Sequence, residues 1–548
     1  MIKILWLSFL KKRYINFFLF YVGIETLFCK RLILRGYSCI KREKKLKTIR
    51  QIKRKIAGAR VPSLVGLMTS GFFINATSYA RNIVHQYILQ NFIEEKFNKS
   101  ILIGAGEKNK IISLSPKYIR EILISESVKI DQIGSSIYWM SYIIITYIKN
   151  TIKMARLFGK ILLSQANPIM DEPYVYFSDL TFRNLPRNNE EGKSYDFISW
   201  YLNSSARNKK IRLICHNVKG QPNFIDGIQV KYMDEPWCLI RGGRNLVLLF
   251  IWCLYVLTLS GVSLLLGRWW YTLLLVEAMK AKAISCIPNN VLAAEYLFPF
   301  SESIYRPLWT YEAQYKKSFI KSFFYANYEE LKTPNGYESQ EFIWKNSTWP
   351  VFLVWDKYQE ILLRRNMIQN ATFEIVGPVW FQATPIYIKN EKPAIAVFDI
   401  EPKRTLLYQS FNTRAEYLAA YPELSKKYFN DIYSVLLEFN LFMIIKRKRE
   451  YHNYGLKNYS MLMNDLASRK NVLLMPTETS AFQLIEKCVG SISIPFTSTA
   501  LCNGAQKFPS CYYDPSGWIQ KNDSASHGVP IISGIDELKV WFTNSFKS

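Results

Sequence analysis

Three consecutive hydroxyl residues, Thr497, Ser498 and Thr499, follow Pro495 in "SISIPFTSTALCNG", where an apolar strand gives way to a helix. A helix that starts there turns unpaired backbone N–H groups forward, with hydroxyls beside them, and such an end attracts anions. Other residues that handle charge stand in equivalent places, each just behind a short apolar run. Gly377 and Pro378 follow "FEIV"; Asp399 and Arg404 follow "AIAV"; Lys446, Lys448 and Arg449 follow "LFMII"; Glu478 and Ser480 follow "VLLMP". Together they describe a cradle for a monophosphate or diphosphate, with hydroxyls and N–H groups on the phosphate oxygens and full positive charge from a neighbouring strand. Each piece also has a plainer reading. Thr-Ser-Thr is a common N-cap, Gly377-Pro378 a turn, the basic residues solvated surface, and Asp399 a cap or ion-pair partner. Convergence on one sheet edge favours the anion site.

That edge requires a particular set of elements. From Thr372 onward the strands "FEIVGPVW", "AIAVFDI", "LFMIIK", "VLLMP", "SISIP", "SCYYD" and "VPIIS" alternate with helical stretches near 413–421, 425–439, 479–488, 498–506 and 535–543. The alternation predicts a doubly wound α/β domain, in which ligands gather beyond the carboxyl ends of the strands. Ahead of it, "PYVYFSDL" (173–180), a helix over Tyr195 to Asn203 and "KKIRLICH" (209–216) predict a second parallel sheet. A polar connection at Met367 to Ala371 sets the boundary, so the expected domains are 61–371 and 372–548, behind a distinct segment 1–60.

Charge marks that first segment. The chain of 548 residues has a formal net charge of +28, and residues 1–60 hold 17 Lys and Arg against 2 acidic residues. Bulky side chains such as Trp6, Phe17, Phe18 and Phe20 interleave with the charge, the pattern of a segment lying on an anionic membrane surface. A nucleic-acid arm is the competing reading, ranked lower because no recognition motif follows. The strongest apolar run, Asn245 to Gly267, is uncharged and long enough to cross a membrane. Ser260-Gly261 falls near its middle, where a break between two helices is expected, so embedded or buried helices are favoured over a crossing. "YWMSYIIITYI" (138–148) is apolar but too short to span. The nine cysteines and four histidines are scattered, without CxxC or HExxH spacing, so a reducing compartment is expected and a transition-metal site is not.

"SISIPFTSTAL", together with "FDIEPKR", "EIVGPVWF", "YFSDLTFRNLP", "WTYEAQY" and "FYANYE", resembles the polysaccharide biosynthesis PFTS motif proteins, a bacterial group named for the tetrapeptide at Pro495 to Ser498. The resemblance covers roughly residues 170 to 545. It implies a role in O-antigen, capsule or other surface glycan synthesis, and a GT-B-like fold of two Rossmann-like domains facing across a cleft, the nucleotide-sugar donor held mainly by the C-terminal one. "LFMIIK" also looks like the Lys-x-His-Pro element of capsule glycosyltransferases, although basic residues stand where His-Pro would be. The reaction so implied is attack of an acceptor sugar hydroxyl on the anomeric carbon of a nucleotide sugar. There is no Asp-x-Asp motif, so protein groups are expected to neutralise the departing phosphate, with no cofactor and no metal. The general base is expected from the N-terminal domain: Asp179 first, then Glu312 and Glu329, each with a cap or ion pair as its plainer role. His527 is a further cleft candidate without a visible partner. The expected partners are a nucleotide sugar, a glycan or lipid-linked acceptor and the anionic inner-membrane surface on its cytoplasmic face, with no nucleic acid. A noncatalytic assembly scaffold with a degenerate GT-B fold is the alternative.

Overall fold

The computed structural model describes residues 55, 110, 112, 114–164, 172–181, 185, 196–220, 223–225, 227–300, 306–325, 332–333, 336–337, 347–367, 370–379, 393–399, 422–447, 457–476, 479, 481–504, 508–517 and 519–546. Apart from Lys55, the segment 1–60 lies outside these residues, as do Glu329, Arg404, Lys448, Arg449, Glu478 and Ser480.

Helices α1 (Lys117–Ser125) and α2 (Gln132–Leu163) come first. The first sheet then collects β1 (Tyr174–Phe177), β2 (Leu213–His216), β3 (Asn223–Ile225), β4 (Ile228–Tyr232), β5 (Glu295–Pro299), β6 (Phe319–Phe323), β9 (Val351–Val354) and β10 (Thr372–Ile375). A small hairpin of β7 (Lys332–Thr333) and β8 (Gly336–Tyr337) stands apart. Between the strands run α3 (Phe197–Asn203), α4 (Gly243–Leu265), α5 (Trp270–Ser285), α6 (Trp309–Tyr315) and α7 (Lys357–Asn366). The strand order is β10, β9, β6, β5, β1, β2, β4, β3, parallel throughout except for β3. Fully buried runs such as Tyr174 to Phe177 are what a sheet covered on both faces demands.

The second sheet has the order β13 (Val472–Met475), β12 (Phe442–Lys446), β11 (Ala394–Phe398), β14 (Gly490–Ser493), β15 (Ser510–Asp514), β16 (Ile531–Ser533), and every pair is parallel. Side chains alternate between its faces, as the period of two requires. Ile395, Val397, Met443 and Ile445 pack under α8 (Pro422–Glu438), α9 (Lys457–Ser468) and α12 (Gly534–Phe546). Ala394, Ala396, Phe398 and Ile444 meet α10 (Ala481–Glu486) on the other face, where α11 (Ser498–Gly504) also lies. The architecture is α/β and GT-B-like, with two Rossmann-like units, one per sheet.

Two expectations are corrected. The strand at Thr372 does not open the second sheet: Thr372 to Ile375 pair in register with Val351 to Val354, so the changeover between sheets falls between Ile375 and Ala394. Helix α4 runs unbroken through Ser260 and Gly261. These small residues admit α2 instead, since a Cβ on Gly261 would come 3.1 Å from the Tyr147 hydroxyl, which donates to the Leu257 carbonyl at 3.1 Å. The chain turns later, at Gly267 (φ 75°). Gly267 N–H there donates to Leu264 O and Arg268 N–H to Ser263 O, the paired bonds that close a helix on a left-handed glycine. The apolar run 138–148 is the middle of the 32-residue helix α2, and among the described residues α4 is the one helix long and apolar enough to cross a membrane.

Candidate functional site

Numbered within their own sheet, the strands of the second unit run 3-2-1-4-5-6, which reverses direction between β11 and β14. Two loops leave such a switch point on opposite sides and open a crevice at the carboxyl ends of those two strands. Register places Lys446, Phe398, Ser493 and Tyr512 side by side on β12, β11, β14 and β15. Asp399 and the Pro495–Thr499 turn therefore leave the sheet from the two strands that flank the switch, with Lys446 one strand away. Of the residues expected to form the cradle, these are brought together.

The turn itself is built from its sequence. Pro495 ends the pairing, and Phe496 adopts φ 64°, a left-handed conformation unusual for a bulky side chain. Phe496 is held there by burial against Tyr512, ring centroids 5.7 Å apart, and the Tyr512 hydroxyl donates to the Thr497 carbonyl at 3.0 Å. The hydroxyls then form a chain of fixed direction. Thr497 Oγ1 donates to Ile494 O at 2.9 Å. Its one proton is thereby used, so in the 3.1 Å contact between the two threonine hydroxyls Thr499 is the donor. Ser493 must in turn donate to Thr499 across 2.9 Å. Thr497 and Thr499 thus spend their protons on the turn. The Lys446 ammonium folds onto the Arg447 carbonyl at 3.0 Å. Asp399 is buried and accepts from the Tyr459 hydroxyl, tying α9 to the end of β11.

The first sheet has its own switch, between β1 and β5. Asp179 leaves the carboxyl end of β1 there, exposed and with φ 57°. The next residue is clasped by the loop after β2: Leu180 N–H donates to Asn217 Oδ1 at 2.9 Å, and Asn217 Nδ2 donates to Leu180 O at 3.2 Å. The loop after β4 adds Asp234 and Glu235. Asp234 pairs with Lys160 of α2 at 3.2 Å, and Glu235 Oε2 lies 3.5 Å from the Tyr176 hydroxyl. Burial holds the Glu235 carboxyl above its usual range; Lys280 and Lys160 pull it down, and the charge of Asp179 pushes it up again. A carboxylate so tuned beside an exposed one is an arrangement suited to moving protons. Sequence reasoning missed Glu235, whose only signal was its place just behind "IQVKY".

The remaining candidates sit elsewhere. Glu312 is buried in the first turn of α6, close enough to Lys316 for their charges to interact, and that ammonium bonds the Ile287 carbonyl ahead of β5. Gly377 and Pro378 follow β10 at the edge of the first sheet, four strand spacings or about 19 Å from β1. His527 has a partner after all: Asp356, in the first unit, 2.7 Å away. No cluster of three or more metal-ligating side chains occurs among the described residues.

A family model described as polysaccharide biosynthesis PFTS motif protein matches residues 254–542. None of the curated proteins matches the chain. Solved structures similar to it include the UDP-GlcNAc 2-epimerase of Methanocaldococcus jannaschii in complex with UDP-GlcNAc and UDP, at 10% identity and a TM-score of 0.31, covering 50% of this chain and 75% of that one. A putative UDP-N-acetylglucosamine 2-epimerase from Listeria monocytogenes is similar at 8% identity and a TM-score of 0.34, covering 68% of this chain and 88% of that one. TarM is similar at 13% identity and a TM-score of 0.29, over 48% of this chain and 50% of its own.

Proposed function

Because the chain belongs to the polysaccharide biosynthesis PFTS motif family, we propose that it transfers a sugar from a nucleotide-sugar donor to a glycan or lipid-linked acceptor at the cytoplasmic face of the inner membrane. The observation that carries this reading is the switch point of the second sheet, where the Pro495–Thr499 turn leaves β14 and Lys446 ends β12, with only β11 between them. The donor's phosphate sits against the first turn of α11, with Lys446 swinging from the Arg447 carbonyl to meet it. Asp179 or Glu235 accepts the proton of the acceptor hydroxyl as its oxygen bonds the anomeric carbon. The bond from that carbon to the phosphate oxygen breaks, and the nucleotide leaves with the electron pair. No cofactor beyond the donor takes part in this scheme.

A thermal-shift screen against UDP-, GDP-, CMP- and dTDP-linked sugars tests binding, because a donor that binds the native state raises its melting temperature. With a donor in hand, replacing the general base, by Asp179→Asn or Glu235→Gln, is expected to lower kcat about 100- to 10,000-fold with little change in donor KM. Absence of a shift with every donor sinks the enzyme reading. One observation favours a noncatalytic assembly role instead: the hydroxyl chain Ser493, Thr499, Thr497 closes on the Ile494 carbonyl, so the threonine protons are committed within the turn.

A further inference from the structure

We propose that the exposed apolar face shared by α2 and α4 seats on one leaflet of an anionic bilayer, with both helices in the membrane plane and neither crossing it. Helix α4 carries no charge between Arg244 and Arg268. Its positions Leu249, Cys253, Val256, Ser260 and Ser263 are buried, a stripe recurring every three or four residues. On the opposite stripe, where a helix bathed in water carries polar groups, stand Val247, Ile251, Leu254, Val262 and Leu265, each at least 50% exposed. Helix α2 repeats the pattern with exposed Ile137, Ile144, Ile148 and Ile152, and adds an exposed basic stripe of Lys149, Lys153, Arg156 and Lys160 beside it. The helices join side by side through the Tyr147 bond to Leu257 and the contact of Phe158 with Phe250, ring centroids 5.7 Å apart. Their apolar stripes flank one seam.

Charge selects the occupant. Neither helix contains an acidic residue. A second copy of the chain would oppose the basic stripe with another, and so would the chain's own head, with 17 Lys and Arg against 2 acidic residues in 1–60. A surface that is apolar within and anionic at its rim matches both features, and bulky apolar residues bordered by Lys and Arg are the signature of helices lying in such an interface. Packing selects the orientation. Helix α4 lies against α5, with Trp252 Nε1 donating to Ala278 O at 3.2 Å. Helix α5 is buried in the domain core and carries Glu277, whose carboxylate accepts from Leu308 N–H at 3.1 Å. Crossing would drag α5 and its charges into hydrocarbon.

The docking stands on this surface alone, so its failure leaves the sugar-transfer reading untouched. Where that reading also holds, the pairing of Lys160 with Asp234 ties the membrane helix to the acidic edge that carries Asp179 and Glu235, bringing the acceptor end of the site to the headgroup layer. The test is flotation of the full-length chain with vesicles of phosphatidylglycerol and phosphatidylethanolamine in equal parts. Wild type is expected to float, and the double variant I148E/I251E to lose about tenfold or more in bound fraction while keeping its melting temperature. The variant K149Q/K153Q/R156Q is expected to bind anionic vesicles less while keeping whatever binding neutral phosphatidylcholine supports. Failure of wild type to float overturns the proposal. So does undiminished flotation of both variants, which moves the membrane contact to the basic head. A lipid-free dimer that I148E/I251E splits on size-exclusion chromatography overturns it too, by making the face a protein interface.

Discussion

His527 Nδ1 lies 2.7 Å from Asp356 Oδ2 and joins the two units across 171 residues of chain. The other oxygen of Asp356 caps α7 by accepting Gln359 N–H at 2.9 Å. His527 reaches it from a left-handed backbone position, φ 51°, followed by Gly528 at φ 83°, and its buried ring packs against Tyr358. One carboxylate therefore starts a helix and fastens a neighbouring domain.

That double duty predicts separable losses. His527→Ala removes the fastening and spares the cap, Asp356→Asn keeps a capping oxygen, and Asp356→Ala loses both, costing a further ~1 kcal/mol for the cap. A double-mutant cycle on denaturant unfolding is expected to return a coupling above about 0.5 kcal/mol between the two side chains. Strict additivity would show that the contact is not an energetic one.

Phe496 combines a strained backbone with a packed ring, and the two effects are distinguishable. Phe496→Ala loses the burial but keeps the left-handed penalty, whereas Phe496→Gly loses the burial and the penalty together. Glycine is expected to be the milder change by about 1 kcal/mol in chemical denaturation. Alanine proving equal or better would mean that the turn rearranges once the ring is gone.

Thr497 and Lys446 make opposite predictions although they stand at the same sheet edge. Thr497→Val leaves the Thr499 hydroxyl without its acceptor, and is expected to cost about 1–3 kcal/mol of stability while leaving the nucleotide-sugar thermal shift in place. Lys446→Ala is expected to leave the apo melting temperature nearly unchanged and to shrink or abolish that shift. The reverse outcome would make the hydroxyl chain the ligand contact and the lysine a structural residue.

His216 supplies a pH test. Burial pushes the imidazole from 6.5 down to about 4, and the Val218 N–H donates to its Nδ1 at 3.3 Å. The unfolded chain therefore binds the proton more tightly than the native one, and protonation favours unfolding. Stability from this group is complete above pH 6.5 and is lost as pH falls toward 4, by at most roughly tenfold in the folding constant per pH unit. Thermal melts across that window, compared with those of His216→Gln, are expected to show a shallower slope for the variant.

Much of the fold was legible because strand–helix alternation is a local, periodic signal. Six of the seven strands expected in the second half fell into one parallel sheet, and Asp179 and the Pro495–Thr499 turn were singled out by their position behind strands. The strand at Thr372 was misplaced because an apolar run states that it pairs and not with what; only its register with Val351 to Val354 decides the sheet. Ser260-Gly261 read as a break because small residues weaken an isolated helix, whereas in the fold they make room for Tyr147.

By itself the sequence determined the element types, the residues that end each strand and the basic, apolar character of the helices ahead of the core, all properties of neighbouring residues. Tertiary structure alone decided which strand ends share a switch point, that the protons of Thr497 and Thr499 are already committed, that Glu235 joins Asp179, and that His527 answers to Asp356. These are relations between residues far apart in the chain. They are set by pairing register and burial, which no local pattern of side chains records.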